Sequence, residues 1–222
     1  MRSRAYVTSQ NIERKGEAWL ASLRRRVRPR PNLRLNPSRC ALLVIDLVHY
    51  FASPRGRAYL PATKAILPNV GRLVDAWHRR GGAVVFTRHA HEGPHDLGML
   101  GKFFSDYIHF GEPEAELVDA LQPVAESDLV LRKTTYDAFA GTGLETHLRL
   151  TGCDQVLVTG VLTQMCCETT ARSAFVLGFE TFVAADATAT TGERHHLASL
   201  AGMASCVAVV LGTREILDMC AD

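Results

Sequence analysis

Six short runs dominated by Val, Leu and Ile lie near residues 41–47, 83–87, 128–132, 155–159, 180–184 and 206–211. Stretches of helical composition alternate with them near 64–80, 113–122, 142–151, 164–178 and 193–204. A strand buried on both faces reads as a continuous apolar run, and such strands belong to parallel sheets covered by helices on both sides. Gly81-Gly82, Gly152 and Gly178 fall just past helix ends, where a left-handed residue costs glycine least. The pattern therefore predicts an α/β fold: a three-layer αβα sandwich around a mostly parallel six-stranded sheet. The connection from Arg88 to Gly111 is long and rich in His, Gly and aromatics, and loops of that kind often cover active sites.

The 222 residues suit one such domain with an appendage. Residues 1–39 carry eleven Arg/Lys against two Glu, whereas the rest carry fourteen against twenty-one Asp/Glu. We therefore divide the chain into a basic N-terminal arm and linker, 1–39, with Ile12 to Arg26 helical, and a globular domain, 40–222. The run Arg24-Arg25-Arg26-Val27-Arg28-Pro29-Arg30-Pro31 has neither interleaved aromatics nor a nucleic-acid motif beside it. A solvated arm, or one docked on an acidic neighbouring subunit, is expected, with no nucleic-acid partner. No apolar run approaches the roughly 18 residues of a membrane span, and no secretory leader is visible, so no membrane partner and a cytoplasmic location are expected. The cysteines are scattered (Cys40, Cys153, Cys166, Cys167, Cys206, Cys220), which fits unlinked thiols, four of them filling apolar space. The absence of G-x-G-x-x-G after the first strand and of a P-loop removes two nucleotide signatures, and no dissociable cofactor is expected.

Cys166 follows the apolar run Gln155–Gly160 and opens a helical stretch. Unpaired N–H groups and the positive end of the helix dipole favour a thiolate there, so a thiol pKa below its free value is expected. Asp46 ends the first strand and Lys133 the third, so all three converge on one crevice provided the first and fourth strands are neighbours. Asp46 lies in Val44-Ile45-Asp46-Leu47, where lost hydration should raise its pKa and suit it to exchange a proton. Cys167 shares a helix ridge with Ala171, Ala174 and Phe175 and is expected in the core.

Three segments then carry a family resemblance. Gly160-Val161-Leu162-Thr163-Gln164-Met165-Cys166, followed by Glu168-Thr169-Thr170-Ala171-Arg172, resembles the nucleophile segment of the isochorismatase-like cysteine hydrolases, a family that includes nicotinamidases and N-carbamoylsarcosine amidases. Ala41-Leu42-Leu43-Val44-Ile45-Asp46-Leu47 with Phe51, and Lys133-Thr134-Thr135-Tyr136-Asp137-Ala138-Phe139, resemble its other two segments, in the family's order. The resemblance implies an Asp46–Lys133–Cys166 triad, an oxyanion hole from the backbone N–H groups of Leu162 and Cys166, a cis Val161–Leu162 peptide and a homo-oligomer, dimer or tetramer. The activity it implies is hydrolysis of a C–N bond in a small amide-type molecule through an acyl-enzyme on Cys166. The alternatives are an isochorismatase-type vinyl-ether hydrolase, which usually lacks the cysteine, and a non-catalytic small-molecule binding protein. Val48-His49 stands where many relatives have Gln-Asn.

Nicotinamidases in this family hold a metal through an Asp-x-His pattern, which would need an acid where this chain has Thr87. No metal is therefore expected, and the cluster His89, His91, His95 and Asp96 is assigned to substrate or inter-subunit contact, with plain surface histidines as the alternative. The expected substrate-binding residues are Phe51, His89, Phe103, Phe104, Tyr136 and Phe139, which would form a partly aromatic pocket.

Overall fold

A computed structural model describes residues 5–124 and 127–221. Helix α1 (Ile12–Arg24) is followed by strand β1 (Cys40–Ile45), the short helix α2 (His49–Ala52), helix α3 (Thr63–Arg79) and strand β2 (Val84–His89). Then come α4 (Leu100–Phe103), β3 (Leu129–Lys133), α5 (Leu144–Leu150), β4 (Gln155–Val161), α6 (Glu168–Val176), β5 (Glu180–Ala189), α7 (Glu193–Cys206), β6 (Val209–Leu211) and α8 (Thr213–Met219). The strands form one six-stranded sheet in the order β3-β2-β1-β4-β5-β6, with every pairing parallel. All residues of β1 and β4 are buried, as their continuous apolar runs require.

The chain builds outward from β1 to β2 and β3, then returns to add β4 on the other side of β1. The β1–β4 boundary is thus the point where strand order reverses, and the crevice beyond the strand ends opens there. Ile45 pairs with Gly160 across it. Gly160 has φ +101°, and a Cβ there would lie 2.0 Å from the Ile45 carbonyl oxygen, so the close approach of the two strand ends requires glycine.

Three expectations change. The helix over 113–122 is a single 3₁₀ turn, Pro113–Ala115; Leu117 then bridges to Val48 and Val118 donates to the Leu47 carbonyl. Burial of Leu117, Val118 and Leu121 against the core overrides local helix preference. The last strand begins at Val209, because α7 continues through Cys206. Cys40, Cys153, Cys166 and Cys167 are buried, while Cys206 is exposed and Cys220 half-buried. Cys167, Ala171 and Ala174 are core, while Phe175 is 53% exposed at the end of α6.

The helix of the basic segment docks on the body of its own chain. In α1, Ile12, Gly16, Trp19, Leu20 and Leu23 are buried, and the helix packs on β5 and α7. Its cations meet the acidic body: Lys15 Nζ lies 2.9 Å from Glu193 Oε1 and Arg24 Nη2 2.6 Å from Glu215 Oε1. Among the described residues, no helix is long and apolar enough to cross a membrane.

Candidate active site

Asp46 is the first residue past β1, fully buried, with φ 50°. That left-handed conformation is uncommon outside glycine, though Asp tolerates it better than most residues. Thr87 on the neighbouring strand β2 holds it: the Asp46 N–H donates to Thr87 Oγ1 at 3.1 Å, and the Thr87 hydroxyl donates to Asp46 Oδ1 at 2.7 Å. Lys133 ends β3, paired in register with His89, and is buried. Its Nζ lies 2.8 Å from Asp46 Oδ2, 2.8 Å from the Thr135 carbonyl oxygen, 3.2 Å from His89 Nδ1 and 3.4 Å from Cys166 Sγ. An ammonium has three N–H donors for these four neighbours, and the sulfur is the farthest of them.

Cys166 sits in one turn of π-helix, Thr163–Cys167, between the end of β4 and α6. The preceding peptide, Val161–Leu162, is cis. The structure therefore brings Asp46, Lys133 and Cys166 together from the ends of three strands, with β1 and β4 adjacent.

The electrostatics differ from the sequence expectation for two of the three groups. Burial pushes the Asp46 carboxyl up, but the Lys133 ammonium and then His89 hold it below the ordinary carboxylate range. Burial likewise works against Lys133, yet Asp46 and Cys166 keep its pKa above the ordinary lysine value. Burial raises the Cys166 thiol to about 12; Lys133 opposes this, and the Asp46 charge adds to it. One ammonium already balanced by a carboxylate cannot also hold a thiolate cheaply, and this outweighs the helix dipole. The resting cluster is a carboxylate, an ammonium and a neutral thiol.

Of the three, Cys166 lines a cavity of about 940 Å³, near the upper end of the usual range for small-molecule sites, with Asp46 and Lys133 buried behind it. Phe51, His89, Phe104 and Tyr136 line the cavity. Phe103 does not: it is 75% exposed. Phe139 packs on Phe179, ring centroids 5.8 Å apart, outside the cavity. The walls also take Tyr50, Leu60, Tyr107, Ile108, Gln164 and Met165, which sequence reasoning passed over. Arg57 ties the two mouth segments together, with Nη1 2.6 Å from Asp106 Oδ1 and Nε 2.6 Å from Glu114 Oε2. The connection between β2 and β3 supplies Leu97, Leu100, Phe104 and Tyr107 to this wall.

A sulfur, a ring nitrogen and a carboxylate oxygen from Cys166, His89 and Asp46 lie within 4.8 Å of one another, which invites a metal reading. The Lys133 ammonium, however, contacts all three. His89 has Nδ1 on Lys133 and Nε2 3.0 Å from His91 Nε2, and His91 Nδ1 lies 3.2 Å from Asp96 Oδ1. Burial first, then Lys133, pushes His89 down to about 3, so its ring is neutral. With those nitrogens taken by protein partners and a cation among the three ligand atoms, this donor set does not fit a metal ion.

A parallel sheet carrying Asp, Lys and Cys at its switch point, with the Cys lining a cavity, defines the class of isochorismatase-like cysteine hydrolases. Residues 40–215 match the Isochorismatase domain family, and the chain belongs to that family of hydrolases. Nicotinamidase 3 of Arabidopsis thaliana is 42% identical over 171 residues, which span 76% of this chain and 82% of that protein. A cysteine hydrolase from Pseudomonas syringae pv. phaseolicola superposes with a TM-score of 0.82 at 26% identity, over 87% of this chain and 99% of that one. N-carbamoylsarcosine amidase from Thermoplasma acidophilum gives 0.68 at 26% identity, over 79% and 96%.

Proposed function

We propose that the protein hydrolyses the C–N bond of a small carboxamide, nicotinamide being the first candidate, through a thioester on Cys166. The observation that carries this reading is the Lys133 ammonium, which contacts both the Asp46 carboxylate and the sulfur of the cavity-lining Cys166. Asp46 takes the thiol proton as Sγ bonds to the carbonyl carbon, and the negative charge passes from the carboxylate by way of the sulfur to the carbonyl oxygen. Lys133 stabilises the sulfur while negative charge develops on it. The backbone N–H groups of Leu162 and Cys166 receive the oxyanion. The C–N bond then breaks, Asp46 returns the proton to the leaving nitrogen, and ammonia departs. A water molecule, deprotonated by Asp46, attacks the thioester carbon and releases the acid and the thiol.

Similarity to a nicotinamidase at 42% identity supports an aromatic amide, and so do the Phe51, Phe104 and Tyr136 walls. The test is ammonia release from nicotinamide and a panel of carboxamides, with intact-mass detection of the acyl adduct. Turnover that disappears in Cys166→Ala and persists in Cys167→Ala is expected. An enzyme that cleaves these amides equally well without the Cys166 sulfur would sink the reading.

A further inference from the structure

The side of the nucleophile turn away from the cavity is held by a polar and aromatic stack that the triad does not explain. Thr163 begins the turn, three residues before Cys166. Its hydroxyl lies 2.9 Å from His196 Nδ1 on α7, and its carbonyl oxygen accepts from Ser199 Oγ at 3.1 Å. His196 is fully buried, and burial, against the opposing pull of the Ala185 carbonyl, pushes it down to about 4, so the ring is neutral.

Two aromatic residues of the N-terminal segment pack on that ring: Trp19 at 4.7 Å between centroids and Tyr6 at 5.9 Å. Trp19 is fixed in turn, its Nε1–H donating to Glu193 Oε1 at 2.8 Å, and Lys15 holds the same carboxylate. A second path starts from Tyr6, whose hydroxyl oxygen accepts from the Thr190 N–H at 3.3 Å; the Thr190 hydroxyl donates to Gln164 Oε1. Both paths run from residues 6–19, outside the matched domain of residues 40–215, to Thr163 and Gln164 in the nucleophile turn.

Packing alone does not call for this arrangement. A buried hydroxyl and imidazole cost free energy unless they bond each other, and an apolar pair would fill the same space without that condition. What a directional bond adds is orientation. We propose that residues 6–19 are a positioning element for the nucleophile turn: Tyr6 and Trp19 fix the His196 ring, and His196 Nδ1 sets the direction of Thr163, hence of the Leu162 N–H and of Cys166. The proposal rests on the reading of Cys166 as nucleophile, and it makes Trp19, His196 and Thr163 positioning residues.

The test compares Thr163→Val, His196→Leu and Trp19→Ala with the conservative His196→Asn, which keeps a polar atom near the Nδ1 position, and Trp19→Phe. Two readouts are taken on the full chain: kcat and KM for nicotinamide, and the rate of Cys166 alkylation by iodoacetamide, with a thermal melt for each variant. The first three should lose tenfold or more in kcat with KM within about twofold, and should change the alkylation rate. The conservative pair should recover to within about threefold. Thr163→Val, nearly isosteric, covers the case in which Trp19→Ala fails to fold. Folded Thr163→Val and His196→Leu that keep wild-type kcat and alkylation overturn the proposal, as does His196→Asn behaving like His196→Leu. If the wild type alkylates at Cys166 but cleaves no amide, the amide reading falls and the alkylation ratios alone decide this one. If Cys166 is inert to both, both readings fall.

Discussion

Asp46→Asn should move two readouts in opposite directions. With Asp46 ionised, a thiolate at Cys166 would be a second anion, within 4.8 Å of the carboxylate. Two unit charges at that separation and an effective dielectric of about 20 repel by about 3–4 kcal/mol, a factor of a few hundred in thiolate population. This repulsion adds to burial in holding the thiol at about 12. Asn removes the competing anion and leaves Lys133, 3.4 Å from the sulfur, with Cys166 as its natural counter-ion. The less basic thiolate is also a weaker nucleophile, with a Brønsted slope of about 0.4–0.5, so the net gain in alkylation is roughly tenfold to thirtyfold. Asn cannot take or return a proton, so turnover should fall by about a thousandfold. The assay is iodoacetamide labelling at fixed pH, read by mass spectrometry, beside ammonia release. Labelling that falls together with turnover would refute the reasoning, because Asp46 would then be creating the thiolate rather than suppressing it.

Two further outcomes follow from buried groups and strand geometry. His89 and His196 are pushed by burial to about 3 and about 4, below the unfolded histidine value near 6.5. Their depressed pKa values favour the folded state only above that unfolded value, and the contribution is lost as pH falls towards the folded ones. Between pH 7 and pH 4.5 the two together should cost about 5 kcal/mol in urea unfolding. His196→Asn should remove about half of that loss; an unchanged pH dependence in this variant would contradict the assignment. Lowered Asp46 acts in a more acid window, its contribution failing only as pH drops below the ordinary carboxylate range. Gly160→Ala should destabilise by about 3 kcal/mol or more, since its Cβ would meet the Ile45 carbonyl at 2.0 Å and φ is +101°. A melt placing the alanine variant within about 1 kcal/mol of wild type would show that β1 and β4 separate freely.

The sheet was legible because each central strand is buried on both faces, which leaves a run of Val and Leu that nothing else explains so well. The convergence of Asp46, Lys133 and Cys166 was legible for a related reason: in a parallel sheet every strand ends on the same side, so residues at three strand ends are gathered by topology alone. The balance of charge around it was not legible. Whether desolvation or ion pairing governs Asp46 depends on Lys133 reaching across β2 to within 2.8 Å, a distance no local pattern encodes. The aromatic assignments divided for the same reason. Phe104 and Tyr136 line the cavity while Phe103 and Phe139 do not, because a loop residue's side is set by the loop's path and not by its composition. Thr87 was visible only as the place where an acid is missing; its hydroxyl in fact grips Asp46, a role set by side-chain reach across adjacent strands.

The N-terminal segment makes the opposite case, a signal present in the sequence and obscured by a stronger one. Its eleven Arg/Lys suggest a solvated arm. The buried face is written at Ile12, Gly16, Trp19, Leu20 and Leu23, positions spaced at three, four and seven as on one side of a helix. Gly16 belongs to that face because a Cβ there would stand 3.1 Å from Asp186 Cβ, so close packing on β5 favours the smallest residue. A helix with such a stripe must find an apolar surface, and the nearest one is β5 with α7, which carries His196. Charge counts how a segment meets water; periodicity says what it docks on. Here the docked face, not the charged one, brings Trp19 to His196, which bonds Thr163 in the turn that holds Cys166.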